Sequence, residues 1–129
     1  MSDKISADLI RQDNGGGLGK ELYVVRSRPT QGMDLVKQNL DRHLSYLKEL
    51  ETQGILFAAG PVFIDEGKSF AGDGMIILNT SSFAEAQKIA EQDPLHHSKA
   101  RQYSIETWML NEGAINLSVT FHTKTITIR

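Results

Sequence analysis

The sequence predicts an α+β fold in which two strand, helix, strand units share one antiparallel sheet and helices cover one of its faces. Three stretches carry that expectation. Residues 33–52 repeat apolar side chains at helical spacing and run into an apolar strand at 55–59. Ser82-Phe83-Ala84-Glu85 opens a second helix behind a strand at 75–79, and residues 104–110 read as a closing strand. The order β, α, β, β, α, β is that of the ferredoxin-like split arrangement.

The bulk composition narrows the class. A chain of 129 residues, 40% hydrophobic and 23% charged, suits one globular core without covalent staples. With no cysteine there is no disulfide, no thiolate nucleophile and no cysteine metal site. A net charge of -2 provides no basic face for a phosphate backbone, so no nucleic-acid partner is expected. No apolar run reaches membrane-spanning length, so no membrane partner is expected either. Asp3, Lys4 and Asp8 interrupt any apolar signal core, which makes a cytoplasmic location the expectation.

Residues 1–20 are polar and end in Asn14-Gly15-Gly16-Gly17-Leu18-Gly19-Lys20, a composition expected to form a flexible arm before a single domain at 21–129. The Gly-Lys pair does not make a phosphate loop, because Asn14 and Glu21 stand where that motif needs Gly and Ser or Thr. Leu22 to Ser27 is β-rich and reads as the first strand. In the helix from about Gln31 to Thr52, Val36, Leu40, His43, Leu47 and Leu50 fall within an arc of roughly 80° at about 100° per residue. His43 therefore sits inside the apolar stripe, where an imidazole must find a hydrogen-bond partner or line a cavity. Gly54 is a C-terminal stop. Ala58, Ala59 and Gly60 in the next strand leave room that suits either a ligand or tight helix packing.

Residues 61–74 read as a long hairpin connection. The second helix runs from Phe83 to about Gln92 and is stopped by Pro94, which places Asp93 at its exit. Leu95 to Gln102 holds His96, His97, Lys99 and Arg101 and is expected to be an irregular helix or a lid. In the tail, Ile115, Leu117, Val119 and Phe121 alternate with polar residues, so one face of that strand is expected to be buried. Ile126 and Ile128 have the opposite parity and require a turn near residues 122–124.

These residues resemble the YCII (YciI-like) family. The resemblance rests on Arg42-His43-Leu44 with Tyr46-Leu47, Gly54-Ile55-Leu56 running to Ala59-Gly60-Pro61-Val62, Asp65-Glu66-Gly67, Gly74, the Ser-Phe-Ala-Glu-Ala helix start, Asp93-Pro94-Leu95 and a strand around Trp108. It spans about residues 21–110, outside which the arm and the tail lie. It implies a dimeric α+β barrel, as a homodimer or higher homo-oligomer, and a His43 and Asp93 pair in a cleft between helix and sheet; the extra C-terminal strands are read from the alternation of the tail alone. Among the activities of the family, the chain is most similar in type to the dehydrochlorination of chlorinated hydroxyhydroquinones in aromatic degradation.

A His-Asp pair of that kind is a base able to titrate near neutral pH. It would remove a proton from a ring hydroxyl of a small aromatic substrate. The chemistry needs no metal and no redox cofactor. Candidates for contacting the substrate and stabilising developing phenolate or chloride are Arg26, Arg42, Arg101, His96 and His97, with Gly60 and Pro61 lining the space. The adjacent His96 and His97 lack the spacing of a chelating helical pair. The alternatives are a non-catalytic dimeric module that binds a small molecule, and an isomerase of the muconolactone type.

Overall fold

The computed structural model describes residues 3–129. In chain order the elements are α1 (Ala7–Gln12), β1 (Lys20–Pro29), α2 (Asp34–Thr52), β2 (Leu56–Pro61), β3 (Gly74–Leu78), α3 (Phe83–Gln92), α4 (Pro94–His97), β4 (Arg101–Leu110), β5 (Leu117–Val119) and β6 (Ile126–Ile128). They divide into a central unit, residues 21–108, and a terminal unit made of the segments up to Lys20 and from Met109.

In the central unit the strands are ordered β2-β3-β1-β4, with β3 antiparallel to both β1 and β2. This is the ferredoxin-like arrangement. Register decides which side chains meet the helices. Tyr23 pairs with Leu78 and Val25 with Ile76, and all four pack with Leu50, Ala86 and Ala90 into the core. Two residues further along the same face the pair becomes Ser27 and Gly74. The apolar surface thus gives out just where the sheet passes beneath the middle of α2.

The helix follows suit. Val36 and Leu50, near the two ends of its stripe, are buried, whereas Leu40 between them is 38% exposed. The stretch of α2 from Leu40 to Leu47 borders a cavity above the sheet. The C-terminus of the helix is closed by Gly54 at φ +76°, with Gly54 N donating to Glu51 O and Ile55 N to Leu50 O. That is a Schellman motif, which needs a residue at ease in the left-handed region. Helix α3 begins as its capping sequence implies, Ser82 Oγ accepting from Glu85 N at 3.1 Å. The Glu85 carboxylate, however, takes the hydroxyl of Ser81 rather than reaching back to an amide.

In the terminal unit, Ser6 caps α1 by accepting from Asp8 N. The glycine run is held by Asn111, whose carbonyl accepts from Leu18 N at 3.1 Å and whose Oδ1 accepts from Gly19 N at 2.9 Å. A Cβ on Gly17 would lie 2.6 Å from that of Asn111, so this glycine serves close approach rather than freedom. In the tail, β5 and β6 pair antiparallel with Leu117 opposite Ile128 and Val119 opposite Ile126, and the turn between them brings the two parities to one face. That face was expected to be buried and is not: Val119 is the least exposed of these four at 62%. Two short strands have no second layer of their own to cover it.

Candidate active site

Asp93 ends α3 and caps α4 at the same time. Its Oδ1 accepts from Leu95 N at 2.9 Å, and Pro94 occupies the first helical position, where a missing N–H costs nothing. The cap pins the carboxylate, which is 2% exposed, facing α2. There His43 Nδ1 lies 2.9 Å from Oδ1 and 2.8 Å from Oδ2. A carboxylate can only accept, so Nδ1 carries the hydrogen and Nε2 of a neutral ring keeps the lone pair. The His43 side chain is 14% exposed and lines the cavity beneath α2.

That cavity measures about 420 Å³. Its roof is Met33, at the N-cap of α2, with Val36, Lys37, Leu40, His43, Leu44 and Leu47 of the helix; its floor is Ser27, Ala59, Gly60, Pro61, Gly74, Met75, Ile76 and Arg101, with Phe70 and Asp73 at the side. The lining is mainly apolar with a few convergent polar groups, and the volume lies in the small-molecule range of about 300–1,000 Å³. The small residues of β2 thus border a cavity. A Cβ on Gly60 would meet nothing within 4 Å.

Arg101 brings a cation to the floor. Its Nη1 donates to Ser27 O at 3.3 Å, and its Nε is buried with no hydrogen-bond partner among the described residues. Burial lowers its pKa, while the charges of Asp93 and Asp73 act in the opposite sense. Beside it, Ser27 Oγ and His96 Nε2 are 2.7 Å apart, and His96 Nδ1 donates to Ala90 O at 2.7 Å. Burial pushes the His96 pKa down, outweighing the Ala90 bond and the Asp93 charge, which push it up. Tyr46, whose hydroxyl donates to Ile89 O at 2.8 Å, has its pKa raised to about 12 by burial and then by the Asp93 and Glu49 charges.

The remaining sequence candidates lie elsewhere. Arg26 has the opposite strand parity to Ser27 and pairs on the other sheet face with Glu106 at 2.8 Å. Arg42 donates to Asn39 Oδ1 and borders an open depression on the outer side of α2 with Asp41, Ser45, Tyr46, Glu49 and Pro94. His97 is exposed on α4, and His96 is too buried to reach the cavity except through Ser27. Ser27 itself is the residue that sequence reasoning passed over. The signal was its place on the Tyr23 and Val25 parity, a hydroxyl on an otherwise apolar face. Among the described residues no group of three or more His, Asp or Glu is placed to hold a metal ion, and no helix is long and apolar enough to cross a membrane.

The YCII-related domain matches residues 22–109, more than half of the chain. The chain belongs to the YCII-related family. No curated protein matches the sequence. Among solved structures, the chain is similar to 5-chloro-2-hydroxyhydroquinone dehydrochlorinase from Burkholderia phenoliruptrix in complex with 2,5-dihydroxybenzoquinone. The TM-score is 0.55 at 22% identity, covering 67% of this chain and 92% of that one. At that identity the likeness bears on the fold. This YCII-related domain and the dehydrochlorinase share the α+β architecture.

Proposed function

We propose that this YCII-related protein is a lyase that removes HCl from a chlorinated hydroxyhydroquinone, with His43 as the acid and base and Asp93 as the group that orients it. One observation carries the reading: the His43 imidazole is fixed at Nδ1 by a buried carboxylate 2.8 Å away, while its ring borders a 420 Å³ cavity that also holds Arg101. The dehydrochlorinase activity of a structural neighbour supplies the choice of substrate class.

The reaction balances on these groups alone. His43 Nε2 takes the proton from the ring hydroxyl next to the chlorine and returns it to the carbon that bears chlorine, giving a dienone with an sp³ C–Cl centre. Loss of the proton from the hydroxyl para to the first, to solvent, then pushes out chloride, which also leaves to solvent, and a hydroxybenzoquinone remains. One C–Cl bond breaks, one C–H bond forms, and substrate minus HCl equals product, so no electrons enter or leave. The Arg101 guanidinium stabilises the oxyanion formed at the para hydroxyl, which has the third ring oxygen beside it, as chloride departs. A positioned base of this kind contributes about 10²–10⁴-fold to rate.

The test is anaerobic incubation with 5-chloro-2-hydroxyhydroquinone, with the product identified by mass. Loss of HCl with no oxidant present supports the reading. Saturable binding without turnover would favour a non-catalytic ligand-binding role instead. We also propose that the protein assembles as a homodimer or higher homo-oligomer, supported by the exposed apolar row on β5 and β6.

A further inference from the structure

The buried pair Ser27 and His96 has a polarity that follows from its last partner. His96 Nδ1 faces the Ala90 carbonyl oxygen at 2.7 Å, and a carbonyl can only accept, so Nδ1 carries a hydrogen. Burial disfavours a second proton on this ring. Nε2 is then a lone pair, and the atom 2.7 Å from it is Ser27 Oγ, which must donate its one hydrogen there. Ser27 borders the cavity with that hydrogen already committed. Toward a ligand it is an acceptor only.

Arg101 has the reverse polarity. A guanidinium can only donate; Arg101 lines the cavity, its Nη1 is held by the carbonyl of Ser27 itself, and its Nε, without a partner among the described residues, is closed off from the cavity, so the donors it offers a ligand are its remaining Nη hydrogens. A fixed acceptor and an unused donor thus stand within the span of one residue on the cavity floor. We propose that Ser27 and Arg101 select a ring carrying two neighbouring oxygens, a hydroxyl that donates to Ser27 Oγ and an oxyanion or carbonyl that accepts from Arg101, with His96 as the positioning residue that sets the polarity of Ser27. The choice of an aromatic ring rests on the function proposed above. An ether at the hydroxyl position would press an acceptor against an acceptor and leave Ser27 unpaired in a buried place, the kind of mismatch sites reject most strongly.

The test uses 1,2,4-trihydroxybenzene, which lacks chlorine and cannot be turned over, and its monomethyl ethers, titrated anaerobically by calorimetry. Wild type is expected to bind the triol about tenfold more tightly than the least favoured ether, the worth of one hydrogen bond of about 1.4 kcal/mol. Ser27→Ala should bring that ratio to within about twofold on the same scale, and Ser27→Thr, which keeps the hydroxyl, should retain it. His96→Phe should also relax it by freeing the Ser27 hydrogen. An unchanged ratio in Ser27→Ala overturns the proposal. Nitrogen NMR of the histidine ring reads the polarity without any ligand: His96 should be the Nδ1–H tautomer with an Nε2 resonance that moves in Ser27→Ala, and an Nε2–H tautomer overturns the proposal by itself. Failure of every phenol to bind wild type refutes the aromatic reading and the ring selection together, while the tautomer still decides the role of Ser27.

Discussion

Asp93 carries two loads that substitution can separate. It caps α4 through Leu95 N, and it accepts from His43 Nδ1 through both oxygens. Losing a cap costs about 1 kcal/mol, and losing a hydrogen bond to a charged group about 1.5–3 kcal/mol. Asp93→Ala removes both and should lower the unfolding free energy by about 3 kcal/mol, the sum of the lower halves of those ranges. Asn is as good a cap as Asp and still makes a hydrogen bond to the imidazole Nδ1, so Asp93→Asn should cost only about 1 kcal/mol. Urea denaturation with a shared slope measures both. Turnover should follow a different order. An Asn amide can rotate to donate to Nδ1, which moves the imidazole hydrogen to Nε2 and removes the base, so Asp93→Asn should lose about 10²-fold or more in chloride release despite its near-native stability. An Asp93→Ala variant as stable as wild type would refute the assigned cap and the His43 bond. Full activity in Asp93→Asn would refute the catalytic role.

Tyr46→Phe forfeits the bond to Ile89 O and should cost about 1 kcal/mol in the same assay. Because the folded His96 pKa is depressed, its contribution to stability is present above the unfolded value of about 6.5 and is lost as pH falls from there toward the folded value. Thermal melts between pH 7.5 and 5 should therefore fall less steeply in His96→Phe than in wild type. If the apolar row of β5 and β6 is covered by a second copy, Val119→Asp with Ile126→Asp should lower the mass measured by light scattering to that of a single chain, and an unchanged mass would assign the assembly to another surface.

Much of this architecture is legible in the residues. His43 was placed on the inner face of α2 by period alone, and the Schellman end at Gly54 and the Ser82 cap follow from their own sequences. The meeting of His43 with Asp93, 50 residues later, does not follow from any local pattern; it depends on α3 returning across the sheet, and only the family resemblance suggested it. Arg26 and Arg101 were both candidate cations, Arg101 in a stretch expected to be an irregular helix or a lid; the structure puts Arg26 in an exposed ion pair with Glu106 and Arg101 at the start of β4, on the cavity floor. The composition of residues 15–19 reports only what the segment lacks, and the residue that accepts from Gly19 N, Asn111, lies 92 residues away, beyond any local pattern. In the tail, alternation correctly located one apolar face but not what covers it, since a two-residue period is the same whether the second layer comes from the chain or from elsewhere.

The most direct measurement is chloride released from 5-chloro-2-hydroxyhydroquinone under anaerobic conditions, compared between wild type and His43→Gln. The account predicts one chloride per hydroxybenzoquinone formed by wild type and a rate lower by about 10²-fold or more in the variant, with the triol still bound. Equal chloride release by the two proteins would contradict it.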